Sequence, residues 1–137
     1  MGFEVYIQCF GESERTGISR SAVHSLFPVI AEESKPDYWR VQYNDKNSCH
    51  IGVVSLPSDK NTLKSFYIDR PCADARLWEA LISVLRMGSV VMFWPGSPPI
   101  VFDQSVASKL PKDMTDGIGT ARSVSTAEEL LRLLRET

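Results

Sequence analysis

The sequence predicts a single α+β domain, residues 1–137, in which a mostly antiparallel five-stranded sheet carries helices packed on one face. Five short segments alternate apolar and polar residues or form brief apolar runs, and both patterns are typical of strands. Other segments place apolar residues at helical spacing. The 137-residue chain is also long enough to bury a core without a metal or a disulfide.

The chain begins with an alternating segment, Gly2–Phe10, that predicts the first strand. One face of this strand carries Phe3, Val5, Ile7 and Cys9, and the other carries Glu4, Tyr6 and Gln8. A helix is expected over Ser19–Phe27, because Ser19 is a favourable N-cap and Pro28 cannot continue the helix. The first two elements are therefore a strand and a helix.

A hairpin and a further strand are expected next. The hairpin pairs Tyr38–Tyr43 with Cys49–Leu56 around the turn-forming residues 44–48. The apolar set of its first strand is Trp39, Val41 and Tyr43. The next strand is expected over Leu63–Asp69, where Phe66 and Ile68 alternate with Ser65 and Tyr67.

The second half of the chain contains the clearest helix, expected over Ala73–Met87 and ended by Gly88. The fifth strand, Ser89–Trp94, is apolar on both faces, as is typical of a strand that is covered on both sides. The remaining expected elements are a short strand at Ile100–Phe102, a brief helix that begins after Asp103 and ends before Pro111, and a last helix opened by the capping box Ser125–Glu128.

The element order is thus β-α-β-β-β-α-β with a C-terminal helix added. This order resembles the split βαβ arrangement of ferredoxin-like folds with one extra strand. Because one fold serves many functions, the function has to be argued from particular residues.

Charge and cysteine content exclude several classes of protein. The net charge of -2 and the pI near 5.7 do not indicate a nucleic-acid-binding protein. The N-terminus lacks the basic and apolar regions of a signal peptide, and no apolar run is long enough to cross a membrane. The three cysteines form no CxxC pair, which favours a reducing compartment. The sequence therefore predicts a cytoplasmic protein.

Cys72 is the main candidate for catalysis. It lies just before the second helix and next to Arg70, and both features favour a thiolate. A catalytic cysteine also needs a base within reach, and only His24 and His50 could supply one. The alternative is that Cys72 is a small apolar residue packed at a strand-to-helix turn, as free cysteines often are.

The sequence predicts no metal site and no cofactor. Two histidines and three scattered cysteines do not provide the three or four closely spaced ligands of a zinc site. No phosphate-binding glycine motif precedes a helix. An RNA-binding sheet would also need paired aromatic residues in a basic strand, which Cys49–Leu56 lacks.

A candidate binding surface combines aromatic residues with a stiff turn. Trp94 closes the fifth strand and is followed by Pro95 and Pro98. A rigid turn beside an aromatic anchor suits a protein-binding surface, and Trp39 and Tyr43 of the hairpin could join it if they face outward. The alternative is that these large aromatic side chains fill the core.

The leading hypothesis is a non-catalytic cytoplasmic protein that binds another protein, as immunity proteins, antitoxins and small regulatory subunits do. It rests on the lack of any catalytic, metal-binding or nucleotide-binding pattern in the sequence. The alternative is a small enzyme or ligand-binding domain that uses Cys72 with His24 or His50. A third hypothesis is a homodimer in which a second copy covers one face of the sheet.

Overall fold

Alternation of apolar and polar side chains builds one mixed α/β structure, which the computed structural model describes for residues 3–11, 16–32 and 37–136. The strands are β1 (Glu4–Cys9), β2 (Ile18–Ser19), β3 (Val29–Glu32), β4 (Tyr38–Gln42), β5 (Ser48–Leu56), β6 (Asp59–Asp69), β7 (Val90–Phe93), β8 (Ile100–Val101) and β9 (Arg122–Ser123). The helices are α1 (Arg20–Leu26), α2 (Ala75–Leu85), α3 (Gln104–Ala107), α4 (Lys112–Ile118) and α5 (Ala127–Glu136).

The strands form a single sheet in the order β3-β4-β5-β6-β1-β7-β8-β9, with β2 attached to β6. Every pairing is antiparallel except that of β8 with β9. The predicted α+β class is confirmed, but the described residues form nine strands, where a five-stranded sheet and a short strand at Ile100–Phe102 were expected. The strands β2, β3 and β9 were not expected, because segments of two to four residues are too short to show a period.

The predicted split βαβ arrangement occurs in the second half of the fold only. Strands β6 and β7 both pair antiparallel with β1, so they run parallel to each other with β1 between them, and α2 connects them. In the first half, β1 is separated from β4 by two strands. The resemblance to ferredoxin-like folds is therefore partial.

One face of the sheet, called here the inner face, is covered by α1, α2 and α5. Its core is continuous and apolar, and the largest of its fully buried side chains are Trp39, Trp78, Phe66, Ile7 and Ile51. Helix α2 contributes Leu77 and Leu81, both fully buried, and α5 adds Leu130 and Leu133 over α2. This dry core is the main source of stability, because burial of apolar area dominates folding.

Helices among the described residues cover the opposite face, called here the outer face, at one end. There α3 and α4 pack over Phe10, Val91 and Val101 and add a second, smaller core. The expectation that helices pack on one face is therefore corrected for these two short helices. Strands β4, β5, β6 and β1 keep their outer side chains outside both cores.

Side-chain caps fix where the helices begin. Ser19 accepts a hydrogen bond from the backbone N–H of Ala22, as expected for the N-cap of α1. The cap of α5 lies one residue later than expected, because Thr126 accepts from the backbone N–H of Glu129 and donates to its carboxylate.

Parts of three predicted elements lie outside the described residues: Gly2 of the first strand, residues 12–15 of the loop after it, and residues 33–36 before the hairpin. Along the described parts of the chain, no helix is both long enough and apolar enough to cross a membrane.

Candidate functional site

The open part of the outer face carries a line of aromatic residues that crosses the strands. Antiparallel register aligns one outward position from each strand, and we call this line the aromatic row. Its members are Tyr38 of β4, Gly52 of β5, Tyr67 of β6, Tyr6 of β1 and Phe93 of β7. Four of these five neighbouring strands therefore present an aromatic ring to the same surface.

The rings of the aromatic row are ordered by contacts with one another and with the sheet. Tyr6 stacks on Phe93 with ring centroids 5.5 Å apart. Gly52 is the one member without a side chain, and a Cβ built there would lie 2.3 Å from the ring of Tyr67. The ring of Tyr67 therefore lies directly over β5, and glycine at position 52 makes this possible.

A second line runs beside the first, one outward position further along each strand. This charged row consists of Arg40 of β4, His50 of β5, Asp69 of β6 and Glu4 of β1. The imidazole of His50 stacks on the ring of Tyr38, with centroids 5.0 Å apart and an interplanar angle of 3°. A guanidinium and an imidazole thus occupy one end of the row, and two carboxylates occupy the other.

Tyrosine hydroxyls join the two rows. Tyr6 donates a hydrogen bond of 2.5 Å to the carboxylate of Glu4, and Tyr38 donates one of 3.2 Å to Asp69. The bond to Glu4 is the main cause of a raised pKa at Tyr6. These bonds hold the rings and carboxylates in fixed positions on an accessible surface.

The outer face also exposes apolar area. Tyr6 and Val54 are 36% and 42% exposed, and both lie on this face. Exposed apolar groups that cluster with fixed polar groups are typical of a binding surface.

One hairpin residue of the predicted binding surface is not exposed. Trp39 is fully buried on the inner face, where it contacts the imidazole of His24 and the guanidinium of Arg20. Tyr43 is half-buried, and Arg76 lies over its ring at 5.0 Å. Burial raises the pKa of Tyr43, and its hydroxyl is buried without a hydrogen-bond partner.

The tryptophan at the turn after β7 is also buried. Trp94 is 4% exposed, and its backbone N–H donates to the hydroxyl of Ser97. Pro95 is exposed and Pro98 is half-buried. Four strand steps separate β4 from β7, or about 19 Å, so the hairpin residues and the turn do not form one surface.

The cysteine and histidine candidates are placed in different surroundings. Cys72 packs against the inner core beside Cys49, whose pKa burial raises to about 12. The backbone carbonyl of Cys72 accepts a hydrogen bond from the indole of Trp78. The two imidazoles contact other rings: His24 meets Trp39 edge to face, and His50 stacks on Tyr38 of the outer face. The structure therefore does not bring Cys72 together with either of them in a recorded contact.

Three cavities among the described residues lie away from the two rows. A cavity of about 630 Å³ lies beside Phe10 and Lys109, and one of about 440 Å³ lies between α3 and α4. A third, of about 320 Å³, is lined by two serines, Arg20, His24 and Asn61. Within residues 3–11, 16–32 and 37–136, the His, Cys, Asp and Glu side chains form no group of three or more that could hold a metal ion.

Sequence reasoning missed the aromatic row although it assigned most of its members to the correct faces. Alternation had placed Tyr6 opposite the apolar face of its strand, and Tyr67 between Phe66 and Ile68. The signal that was missing is the pairing register, which brings these separate outward positions into one line.

Comparison with known protein families, with curated proteins and with solved structures finds no match for this chain.

Proposed function

We propose that this chain is a non-catalytic binding protein that docks another protein surface on the open part of its outer face. The observation that carries the proposal is the aromatic row, with the charged row beside it. The row combines the exposed ring of Tyr6 with three half-buried rings and lies outside the inner core, so we assign it to recognition.

The shape and chemistry of the face favour a protein over a small molecule. The face is a sheet surface, and the cavities described above lie elsewhere. Small-molecule sites are instead concave and enclose most of the ligand. Tyrosine provides a large contact area at low conformational cost and is enriched among the residues that dominate protein interfaces.

The carboxylates argue against nucleic acid as the partner. Aromatic rings can stack on bases, but nucleic-acid affinity depends mainly on cations that neutralise phosphates. Here Glu4 and Asp69 lie directly beside the rings, and the chain has a net charge of -2. A protein surface with its own charges and apolar groups is the better match.

Immunity proteins, antitoxins and small regulatory subunits act in this way, by covering a partner without performing chemistry. A reducing compartment, and hence the cytoplasm, agrees with the three free thiols.

The test compares two variants as bait in lysate of the native host. Tyr6→Ser with Tyr67→Ser removes two rings of the aromatic row, and Glu79→Ser with Arg135→Ser changes two exposed residues on the helices of the inner side. We expect a host protein that is retained by the wild type and by the helix variant but lost by the row variant. The captured protein is then purified and its affinity for all three chains is measured.

Equal affinity of the row variant would contradict the proposal. A result in which Cys72→Ser, rather than the row variant, loses the partner would favour the alternative hypothesis of a thiol-dependent function. Circular dichroism and thermal melting verify that each variant is folded.

A further inference from the structure

The two halves of the charged row differ in the chemistry of their side chains. Across the sheet the order of strands is β4, β5, β6 and β1, and their outward residues are Arg40, His50, Asp69 and Glu4. The cationic residue and the imidazole occupy the first two strands, and the two carboxylates occupy the last two. The outermost members of the row, Arg40 and Glu4, therefore carry opposite charges at equal distances from the line between β5 and β6.

We infer that the protein surface docked on the outer face is a second copy of this chain, related by a twofold axis that runs along the strands between β5 and β6. Such an axis places β4 of one copy over β1 of the other. Arg40 then faces Glu4 of the second copy, and His50 faces Asp69. Each of these pairings occurs twice, because an interface with twofold symmetry is self-complementary.

The aromatic row also fits this arrangement. The ring of Tyr67 extends from β6 over Gly52 of β5. It therefore lies across the line between these two strands, where the axis passes. The Tyr67 rings of the two copies therefore meet at the axis, where an offset stack is favourable. Tyr38 of one copy lies opposite Tyr6 of the other, because β4 lies over β1.

The geometry of the two sheets agrees with known sheet packing. An axis along the strands keeps the two sheets aligned, as in sandwiches whose sheets pack about 10 Å apart. Aromatic side chains from both copies fill a layer of that thickness.

The size of the face indicates a reversible dimer. The four strands that overlap symmetrically about this axis, β4, β5, β6 and β1, span about 19 Å, and their outward positions extend about 20 Å along the strands. This projected area of about 380 Å² is smaller than the roughly 800 Å² per partner of standard interfaces, even though rugged side chains raise the accessible area above it. The dimer is therefore expected to form and dissociate with concentration.

The test is a charge swap followed by sedimentation velocity from about 1 µM to about 1 mM. Arg40→Glu and Glu4→Arg each place like charges together twice in the dimer, so each is expected to raise the dissociation constant at least about tenfold. The double variant Arg40→Glu with Glu4→Arg restores both pairings and is expected to dimerise. An equimolar mixture of the two single variants is expected to form a heterodimer for the same reason.

Matched controls make the same charge changes on the helices of the inner side. Glu79→Arg and Arg135→Glu alter exposed residues of α2 and α5 and are expected to leave the dissociation constant within about twofold of wild type. Should one single variant fail to fold, Tyr67→Ala is the independent probe, because it removes the stack at the axis and is expected to weaken the dimer.

Two outcomes overturn the inference: a wild-type chain that stays monomeric up to about 1 mM, or a dimer that is indifferent to the charge reversals. This inference rests on the proposed function, but the two fail separately. A monomer that loses a different host protein when Tyr6 and Tyr67 are replaced would leave the proposed function intact and exclude the second copy. A monomeric chain that retains the same host proteins with and without these replacements would refute both.

Discussion

The two faces of the sheet are built from the same strands but differ in burial. On the inner face, the apolar side chains of the strands pack with those of α1, α2 and α5 into a core that is almost completely buried. On the outer face, the alternate positions of these strands carry tyrosines, carboxylates, an imidazole and a guanidinium that remain accessible. Alternation along a strand thus divides the side chains of each segment between a buried core and an accessible surface.

The contrast shows where substitutions should act. Inner-face residues contribute buried area, so their loss is expected to change stability. Outer-face residues contribute ordered but accessible groups, so their loss is expected to change binding and leave the fold largely unchanged. The following experiments test this division, beginning with the largest expected effect.

Deletion of residues 125–137 is expected to be the most damaging change. It removes Leu130 and Leu133, which are buried over α2, and each buried leucine contributes about 2–5 kcal/mol. We expect the melting temperature to fall by roughly 10 °C or more. The control is Arg132→Ala with Arg135→Ala on the exposed side of α5, and an unchanged melting temperature of the deletion variant would show that α5 is not docked.

Leu81→Ala tests the inner face at a single position. Its side chain projects from α2 into the inner core and is fully buried, so truncation is expected to lower the free energy of unfolding by about 2–5 kcal/mol. Val54→Ala on the outer face is the matched truncation and is expected to change stability by no more than about 0.5 kcal/mol. Urea unfolding measures both, and equal effects would contradict the division between faces.

Gly52→Ala tests the packing of the aromatic row against the sheet. The added methyl group would overlap the ring of Tyr67, so the ring must move off β5. We expect a loss of about 1 kcal/mol that largely disappears when Tyr67→Ala is already present, because contacting residues couple. A double-mutant cycle from urea unfolding measures this coupling, and a cost that persists without the ring would place the clash elsewhere.

The smallest expected effect concerns pH and the start of α2. The hydrogen bonds that Asp74 accepts from Arg76 lower its pKa from 3.8 to about 2. Its stabilisation is therefore complete well above pH 3.8 and is lost as the pH falls towards 2. Asp74→Asn keeps the N-cap but does not titrate, so its unfolding free energy should decrease less than that of wild type between about pH 6 and pH 2. Equal decreases in unfolding free energy for the two proteins would show that Asp74 does not contribute to the acid sensitivity.

Local patterns were sufficient to predict the principal elements. The period of α2 and the alternation in β1, β5 and β6 gave their type and their apolar faces, because both signals lie within a few consecutive residues. The cap of Ser19 was predicted for the same reason. The cap of α5 was shifted by one residue, since Ser125 and Thr126 are both suitable caps and only the backbone path selects Thr126.

The candidate site was less accessible from the sequence. Trp39 and Trp94 were considered for a binding surface because they are large and aromatic, yet both are buried. Whether a tryptophan fills the core or faces a partner depends on what packs against its strand, and that is decided by elements distant in the chain. Phe93 is aromatic on the outward side of an entirely apolar strand, so periodicity could not assign its face.

The sequence by itself determined which segments are strands and helices and which side of most strands is apolar, because these follow from the chemistry of near neighbours. Only the tertiary structure decided that β1 lies between β6 and β7, and that Tyr38, Tyr67, Tyr6 and Phe93 share one line. Strand order and register arise from contacts between residues up to dozens of positions apart, for which a local pattern carries no information.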